Sequence, residues 1–286
     1  MENILILGAT GNIGLALLQK LQGRGVQVFA GVRNENDFDT ITNLGAKPVQ
    51  VDFTNQEDLN SALKGMNRVF LVTPLMQNPE YITQLVINAA QKNNVKHFVR
   101  STAAGADSNG HIAMSRWAGR SEDLIKASDL SYTIVRPNNF LQNFINFHSN
   151  TIKEHNGFYM PNGDAKSGMV AVEDIAEIAA IALTTEDHFD KTYTLSGLAL
   201  TNYEYAEIIS AVVGRKVSYI DVTEEKAKES MLSNGMPEWL VNAMMELNYI
   251  VKQGWTAEYS EDFKNITGKE YTTAETFFLE NKNYFI

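Results

Sequence analysis

The chain has 286 residues, of which 44% are hydrophobic and 20% charged, and it contains no cysteine. This length fits one large α/β domain or a main domain with a smaller lobe, and the lack of cysteine excludes disulfides, thiolate chemistry and cysteine–metal sites. The net charge is −10, with 13 Lys+Arg against 12 Asp+Glu in residues 1–150 and 11 against 22 in residues 151–286, so no basic patch for nucleic acid is present.

A glycine-rich turn stands between the first predicted strand and the first predicted helix. The apolar run 4–7 has the length of a buried strand, and Ile13, Leu17 and Leu21 then recur at helical spacing. In this context a turn without Cβ atoms lets a dinucleotide pyrophosphate approach the N–H groups at the helix N-terminus. The alternative is a glycine turn that binds nothing. The turn residues assigned to the cofactor are Gly8, Thr10, Gly11, Asn12 and Ile13.

Strands and helices alternate through the first half of the chain. Strands are predicted at 26–30, 49–51, 69–72, 95–100 and 132–136. Residues 54–57, Thr-Asn-Gln-Glu, match a capping box that opens a helix. Asn78 is predicted to cap the next helix, with Pro79 at its first position, and a further helix covers 115–128. Strands separated by helices predict an α/β fold with a doubly wound parallel sheet.

The pattern changes near residue 139. An amphipathic helix is predicted from Phe140 to His148, followed by a strand at 169–172, a helix at 173–183 and a strand at 192–195. Residues 201–204 form a second capping box, a strand follows at 217–222, and the rest is predicted to be helical. We therefore predict a NAD(P)-binding Rossmann domain over 1–150 and a smaller C-terminal α/β substrate lobe over 151–286. We expect the lobe to pack on the core and to contribute in part to the sheet.

The residues that follow strands two, three and four predict the cofactor. No acidic residue occurs between Glu2 and Glu35, so the ribose 2′-OH partner of NAD-specific sites is missing, whereas Arg33 is placed to pair with the 2′-phosphate of NADP. The alternative for Arg33 is a solvated surface arginine. Asp52 and Phe53 are expected to meet the adenine, and Thr73 and Pro74 to lie along the dinucleotide. NADP(H) is thus the preferred cofactor and NAD(H) the alternative.

The acid–base pair of ordinary short-chain reductases is missing. Those enzymes use Tyr-x-x-x-Lys, in which the lysine lowers the tyrosine pKa, but no lysine here has a tyrosine four residues before it. Met114 and Ala118 fall at the two positions of the pair. Ser101 and Thr102, which end strand five, match the serine of that family but cannot replace the pair alone.

Six short motifs recur in order along the chain: Gly8–Gly14, Val32–Asn34, Val51–Phe53, Arg136–Phe140, Val172–Ala176 and Leu195–Gly197. Together they resemble the NmrA-like atypical branch of the short-chain dehydrogenase/reductases, and are closest in pattern to NADPH-dependent quinone and azo reductases. The resemblance implies a Rossmann-type fold that holds NADP(H) and transfers hydride to a quinone-like acceptor. NmrA-like redox-sensing regulators also lack the Tyr–Lys pair, so the alternative is an NADP(H) sensor that acts through a protein partner. A nucleotide-sugar epimerase relative is a third reading.

Quinone reduction remains feasible without the pair, because a conjugated ring accepts hydride directly and its second proton can come from water. Asn139, Phe140 and Asn143 follow a strand end and are predicted to line the acceptor pocket, with a core position as the alternative for Phe140. His111 joins Ser101 and Thr102 as a candidate proton donor. The remaining histidines and carboxylates show no metal-ligand spacing.

No apolar run approaches the roughly 20 residues of a membrane span, and the sequence enters a strand at once, without the features of a signal peptide. We expect a cytoplasmic protein. Its predicted partner is a small-molecule acceptor such as a quinone, rather than nucleic acid or membrane.

Overall fold

The computed structural model describes residues 1–286 as twelve strands and twelve helices. The strands are β1 (Asn3–Leu7), β2 (Gln27–Val32), β3 (Lys47–Gln50), β4 (Arg68–Leu71), β5 (His97–Ser101), β6 (Ser131–Pro137), β7 (Asn139–Phe140), β8 (Gly157–Met160), β9 (Lys166–Val170), β10 (Lys191–Leu195), β11 (Ala199–Thr201) and β12 (Ser218–Asp221). The helices are α1 (Asn12–Leu21), α2 (Phe38–Asn43), α3 (Gln56–Ala62), α4 (Pro79–Lys92), α5 (Ala113–Lys126), α6 (Ser149–His155), α7 (Val172–Thr184), α8 (Asn202–Val213), α9 (Glu224–Ser233), α10 (Glu238–Lys252), α11 (Asp262–Thr267) and α12 (Ala274–Glu280). None of the helices is both long and apolar enough to cross a membrane.

The first compact unit comprises 1–137 and 172–194 and contains a seven-stranded sheet in the order β10-β6-β5-β4-β1-β2-β3. Each adjacent pair from β6 to β3 runs parallel. Residues 4–7 of β1 are fully buried, as expected for a central strand with helices on both faces. The predicted doubly wound parallel sheet is confirmed. The carboxyl end of β1 lies where the strand order reverses, which is the place where such sheets bind ligands.

The second unit comprises 138–171 and 195–286. It holds a three-stranded sheet in the order β11-β9-β7 and a pair of parallel strands, β8 and β12. Its core is aromatic: Phe144 contacts Phe158 and Phe278 edge-on, at ring-centroid distances of 5.3 and 5.2 Å. Such edge-to-face pairs add to the stabilisation from buried area.

The division between the units differs from the predicted boundary at residue 150. Within the first unit, α7 packs against α1, where Glu177 forms an ion pair with Arg24 at 2.7 Å. β10 adds an edge strand beside β6. The chain thus returns to the first unit after leaving it, because α7 buries its apolar side there. β10 is the strand that this later segment adds to the sheet.

Two local predictions need correction. The helix expected from Phe140 begins at Gln142 and includes a π-helical stretch over Phe144–His148. It starts later than predicted because β7 pairs with β9 and the Leu141 N–H donates to the Val170 carbonyl at 3.0 Å. The helix expected after a capping box at 54–57 is capped by Asn55 instead, and the Thr54 hydroxyl donates to Asp52 at 2.8 Å. The second capping box is confirmed, with both Thr201–Glu204 hydrogen bonds present.

His97 is buried in β5 and forms a hydrogen bond between its Nε2 and the Thr133 hydroxyl at 2.9 Å. Burial, and then the charge of Arg68, lower the pKa of His97 to about 3. The side chain therefore stays neutral in the folded protein, which is a structural role.

A histidine that is neutral when folded but free to titrate when unfolded makes stability depend on pH. We expect the contribution of His97 to be complete above the unfolded pKa of 6.5 and to fall as the pH drops from 6.5 towards 3, with a slope of up to about 1.4 kcal/mol per pH unit. His97→Gln keeps a hydrogen-bonding group but does not titrate, so its urea unfolding between pH 7 and 4 should show a shallower pH dependence than the parent. Equal slopes would contradict this assignment.

Candidate functional site

The turn between β1 and α1 is tightly packed on its inner side. Gly8 has a φ of +88°, and a Cβ there would lie 2.3 Å from the Val72 carbonyl oxygen. A Cβ on Gly14 would lie 2.2 Å from the Gly8 carbonyl oxygen. The Gly11 N–H donates to that same oxygen at 3.2 Å, which closes the turn. Only glycine fits at positions 8 and 14.

The outer side of the same turn is open. A Cβ on Gly11 would meet nothing closer than the Gly8 carbonyl oxygen at 3.5 Å, and Thr10, Gly11 and Asn12 are exposed. The Ile13 side chain is buried, so this residue offers only its backbone. No side chain caps α1, and its first turn carries no acidic residue. The first N–H groups of a helix have no intrahelical partner, so this end can bind an anion.

Arg33 directly follows β2 at the carboxyl edge of the sheet. It is exposed, and its guanidinium forms no ion pair or hydrogen bond within the protein. Asp52 stands nearby and accepts hydrogen bonds from the Thr54 N–H at 2.9 Å and the Thr54 hydroxyl. Those bonds, and more weakly the charge of Arg33, lower the pKa of Asp52. Arg33 is thus a cation available to a ligand.

A pocket of about 510 Å³ opens between Arg33 and the end of β3. Phe53 is half-buried and packs against the core of the first unit, so only part of its ring can meet an adenine. Two of the predicted cofactor residues, Arg33 and Asp52, are among the residues that line the pocket. It is lined by Arg33, Val49, Gln50, Val51, Asp52, Asp58, Ser61 and Ala62.

Thr73 and Pro74 follow β4, on the other side of β1 from Arg33. Thr73 is half-buried and Pro74 is exposed. The Thr73 hydroxyl accepts a hydrogen bond at 3.1 Å from the buried guanidinium of Arg100, which also donates to the Leu71 carbonyl at 3.1 Å. No role for Arg100 was predicted from the sequence. Its strand, His-Phe-Val-Arg-Ser, mixes apolar and polar residues, so a buried cation does not stand out there.

A buried carboxylate occupies the region near the missing Tyr–Lys pair. Glu122 lies on α5, one turn beyond Ala118, and is 1% exposed. It accepts hydrogen bonds from Arg136, from Lys126 at 3.0 Å and from the Thr102 hydroxyl at 2.8 Å. Burial alone would raise the pKa of Glu122, but these donors lower it, so the carboxylate is ionised. The Thr102 proton is therefore committed to Glu122.

The other two candidate proton donors are Ser101 and His111. Ser101 is buried at the end of β5. His111 is exposed in the loop before α5, where its carbonyl accepts a hydrogen bond from Arg116 at 2.9 Å. No group of three His, Asp or Glu side chains in the structure has the arrangement of a metal site.

The three predicted acceptor residues belong to the second unit. The Asn139 amide donates to the Ser167 hydroxyl at 2.9 Å, which fixes its side chain across β7 and β9. Phe140 is half-buried in β7, and Asn143 immediately precedes the π-helical turn. The predicted cofactor residues thus belong to the first unit and these three to the second.

Comparison with known proteins identifies a family. A model of the NmrA-like family matches residues 1–278. The NAD(P)H azoreductase of Xenophilus azovorans is 34% identical over 275 residues, which cover 96% of each chain. The triphenylmethane reductase of Citrobacter sp., solved in complex with NADP(H), matches with a TM-score of 0.85 at 26% identity over 97% of this chain and 99% of that one. The NADPH-dependent quinone oxidoreductase of Escherichia coli, solved with NADPH, has the same fold, with a TM-score of 0.86 at 24% identity over 98% and 99%.

The different surroundings of the turn glycines predict different effects of one substitution. Gly14→Ser places a Cβ against the Gly8 carbonyl and should destabilise the protein by about 1–3 kcal/mol, the usual range for overpacking. Gly11→Ser adds the same atoms in open space, at a helix N-cap where serine is favoured, and should change stability by less than about 0.5 kcal/mol. Thermal unfolding of both variants tests this, and equal losses would contradict the packing described.

Proposed function

Because the chain belongs to the NmrA-like family, we propose that it is an NADPH-dependent reductase that transfers hydride to a quinone-like acceptor. The observation that carries the proposal is the turn between β1 and α1. Gly8 and Gly14 are enclosed by backbone, whereas Gly11 and the uncapped helix end face open space. This arrangement leaves room for a pyrophosphate beside unpaired N–H groups.

The residues present fit NADPH. The N–H groups at the start of α1 would hold the pyrophosphate, and Arg33, which has no partner in the protein, would hold the 2′-phosphate. Asp52 and Phe53 would flank the adenine, and Thr73 and Pro74 the opposite half of the molecule. When bound, NADPH supplies the hydride. NADP(H)-bound structures of the Citrobacter and Escherichia coli proteins support this choice of cofactor.

The cluster around Glu122 favours an acceptor that needs no acid from the protein. Met114 and Ala118 occupy the positions of the Tyr–Lys pair, and the Thr102 proton is held by an ionised carboxylate. A quinone that takes up hydride becomes a hydroquinone anion, which accepts its proton from water to give hydroquinone and NADP⁺. The names of similar proteins refer to azo, triphenylmethane and quinone compounds, which are all conjugated acceptors.

Cofactor preference tests the role of Arg33. We expect the parent to bind NADPH more tightly than NADH. Arg33→Gln should weaken NADPH binding by roughly 10- to 150-fold, the value of a hydrogen bond to a charged group, and leave NADH binding nearly unchanged. Lys64→Gln makes the same change in net charge at an exposed position and serves as the control. Calorimetric titration measures all the affinities. Equal affinities of the parent for the two cofactors would refute NADP specificity.

Turnover separates a reductase from a sensor. We expect the parent to oxidise NADPH when benzoquinone or menadione is added, as followed by stopped-flow absorbance. A Ser101→Ala, Thr102→Val variant should lose less than about tenfold, because removal of a true general acid costs on the order of 10²–10⁴-fold. Glu122 keeps Arg136 and Lys126 as partners in that variant.

The other outcomes of this experiment are equally informative. A parent that binds NADPH tightly but is oxidised by neither quinone would support the sensor, whose occupancy changes its interaction with a protein partner. A collapse of the rate in the double variant would identify a protein proton donor and overturn the proposed mechanism.

A further inference from the structure

Arg100 is a buried cation without an ion-pair partner. It is 3% exposed, and burial lowers its pKa to about 10. Its hydrogen-bond acceptors, the Leu71 carbonyl and the Thr73 hydroxyl, are both neutral, and its Nε has no partner. Burying a charge that forms no ion pair costs free energy, which the charge of Glu122 offsets only in part, since the pKa of Arg100 is still lowered. The presence of Arg100 therefore calls for a reason other than stability.

Glu122 does not supply that reason. Its charge acts on Arg100, but its carboxylate oxygens are already hydrogen bonded to Arg136, Lys126 and Thr102. Arg100 instead directs its guanidinium towards the segment that follows β4, where it bridges the last residue of the strand and the second residue beyond it.

That segment lies against the glycine turn. The Val72 N–H donates to the Leu7 carbonyl at 3.1 Å, and the Val72 carbonyl oxygen would lie only 2.3 Å from a Cβ on Gly8. Thr73 is thus the first residue beyond the contact between β4 and the turn. In the sheet order, β4 and β2 flank β1 on opposite sides. If Arg33 at the end of β2 marks the adenosine half of the cofactor, Thr73 lies on the side of the nicotinamide half.

We propose that Arg100 is a positioning residue that fixes Thr73 against the nicotinamide half of bound NADPH. The inference rests on the proposed function, because it requires the dinucleotide to bind at the turn. Arg100 does not touch the cofactor. It acts by holding the Thr73 hydroxyl and the backbone of 72–74 in one position, so that this wall of the site needs no ordering when NADPH binds.

Binding of two ligands distinguishes this positioning role from a general effect on the stability of the fold. NADPH spans both halves of the site, whereas adenosine 2′,5′-bisphosphate occupies only the side of Arg33. We expect Arg100→Met and Thr73→Val each to weaken NADPH binding by roughly tenfold and to leave binding of the bisphosphate unchanged. The double variant should lose little more than either single variant, because both substitutions remove the same hydrogen bond. Calorimetry with both ligands measures these effects.

Matched variants control for damage to the fold. Arg68 is a second buried arginine, at the amino end of β4, where it bonds the Ala182 and Thr185 carbonyls. Arg68→Met should therefore lower the melting temperature without a selective loss of NADPH affinity. Thr73→Ser keeps the hydroxyl and should bind NADPH more tightly than Thr73→Val. If Arg100→Met does not fold, the comparison of Thr73→Val with Thr73→Ser still tests the proposal.

Several results would overturn it: losses that add in the double variant, equal losses for both ligands, or a Thr73→Val variant that binds NADPH like the parent. A parent protein that binds neither ligand would instead refute the proposed function itself. The two failures are therefore distinguishable in one set of titrations.

Discussion

The close approach of backbone to backbone at the β1–α1 turn is the constraint on which the rest of the first unit depends. The Gly8 carbonyl lies against Gly14, and the Val72 carbonyl lies against Gly8. Both contacts are so close that a Cβ at either glycine would clash with the facing oxygen. The start of α1, the end of β1 and the extension of β4 are therefore held together mainly by backbone contacts, with the Val72 side chain also against Gly8. Because the inner side of the turn is closed by protein, the uncapped helix end is directed to the outer side, where a phosphate can approach it.

A layer of buried charge lies next to this turn. Arg100 reaches from β5 to the segment after β4, and Glu122 reaches from α5 to Thr102 and Arg136. Burying these groups costs free energy unless each is hydrogen bonded. Their bonds tie the ends of β4, β5 and β6 to one another or to α5. The first unit thus holds hydrogen-bonded buried charges in the region where ordinary short-chain reductases have the Tyr–Lys pair.

Features encoded by nearby residues could be predicted from the sequence. The apolar run of β1, the turn glycines, Pro79 at the start of α4 and the capping box at Thr201 each depend on residues a few positions apart. Asn55 rather than Thr54 caps α3, because the Thr54 hydroxyl is hydrogen bonded to Asp52. Since both residues are good helix caps, the sequence alone does not show which of them is used.

Features set by distant partners could not be predicted. Phe140 continues a helical pattern, but it forms a strand because it pairs with Val170, thirty residues later. The return of α7 and β10 to the first unit likewise depends on packing against α1 and β6. In the candidate site, the turn and Arg33 could be proposed from the sequence because their neighbours in sequence define them. The hydrogen bond from Arg100 to Thr73 joins two strands and could not be anticipated in this way.

The distribution of the site residues bears on how such a reductase could change its acceptor. The predicted cofactor residues follow β1, β2, β3 and β4 in the first unit, whereas Asn139, Phe140 and Asn143 belong to the second. If these three residues contact the acceptor, substituting them changes which acceptor shapes fit the site. The turn and Arg33 are not disturbed by such substitutions. Because the reaction needs only hydride transfer and a proton from water, Asn139, Phe140 and Asn143 do not have to supply an acid suited to each acceptor. Selection would then act on the fit of a conjugated acceptor alone, which is consistent with one fold serving azo, triphenylmethane and quinone reductases.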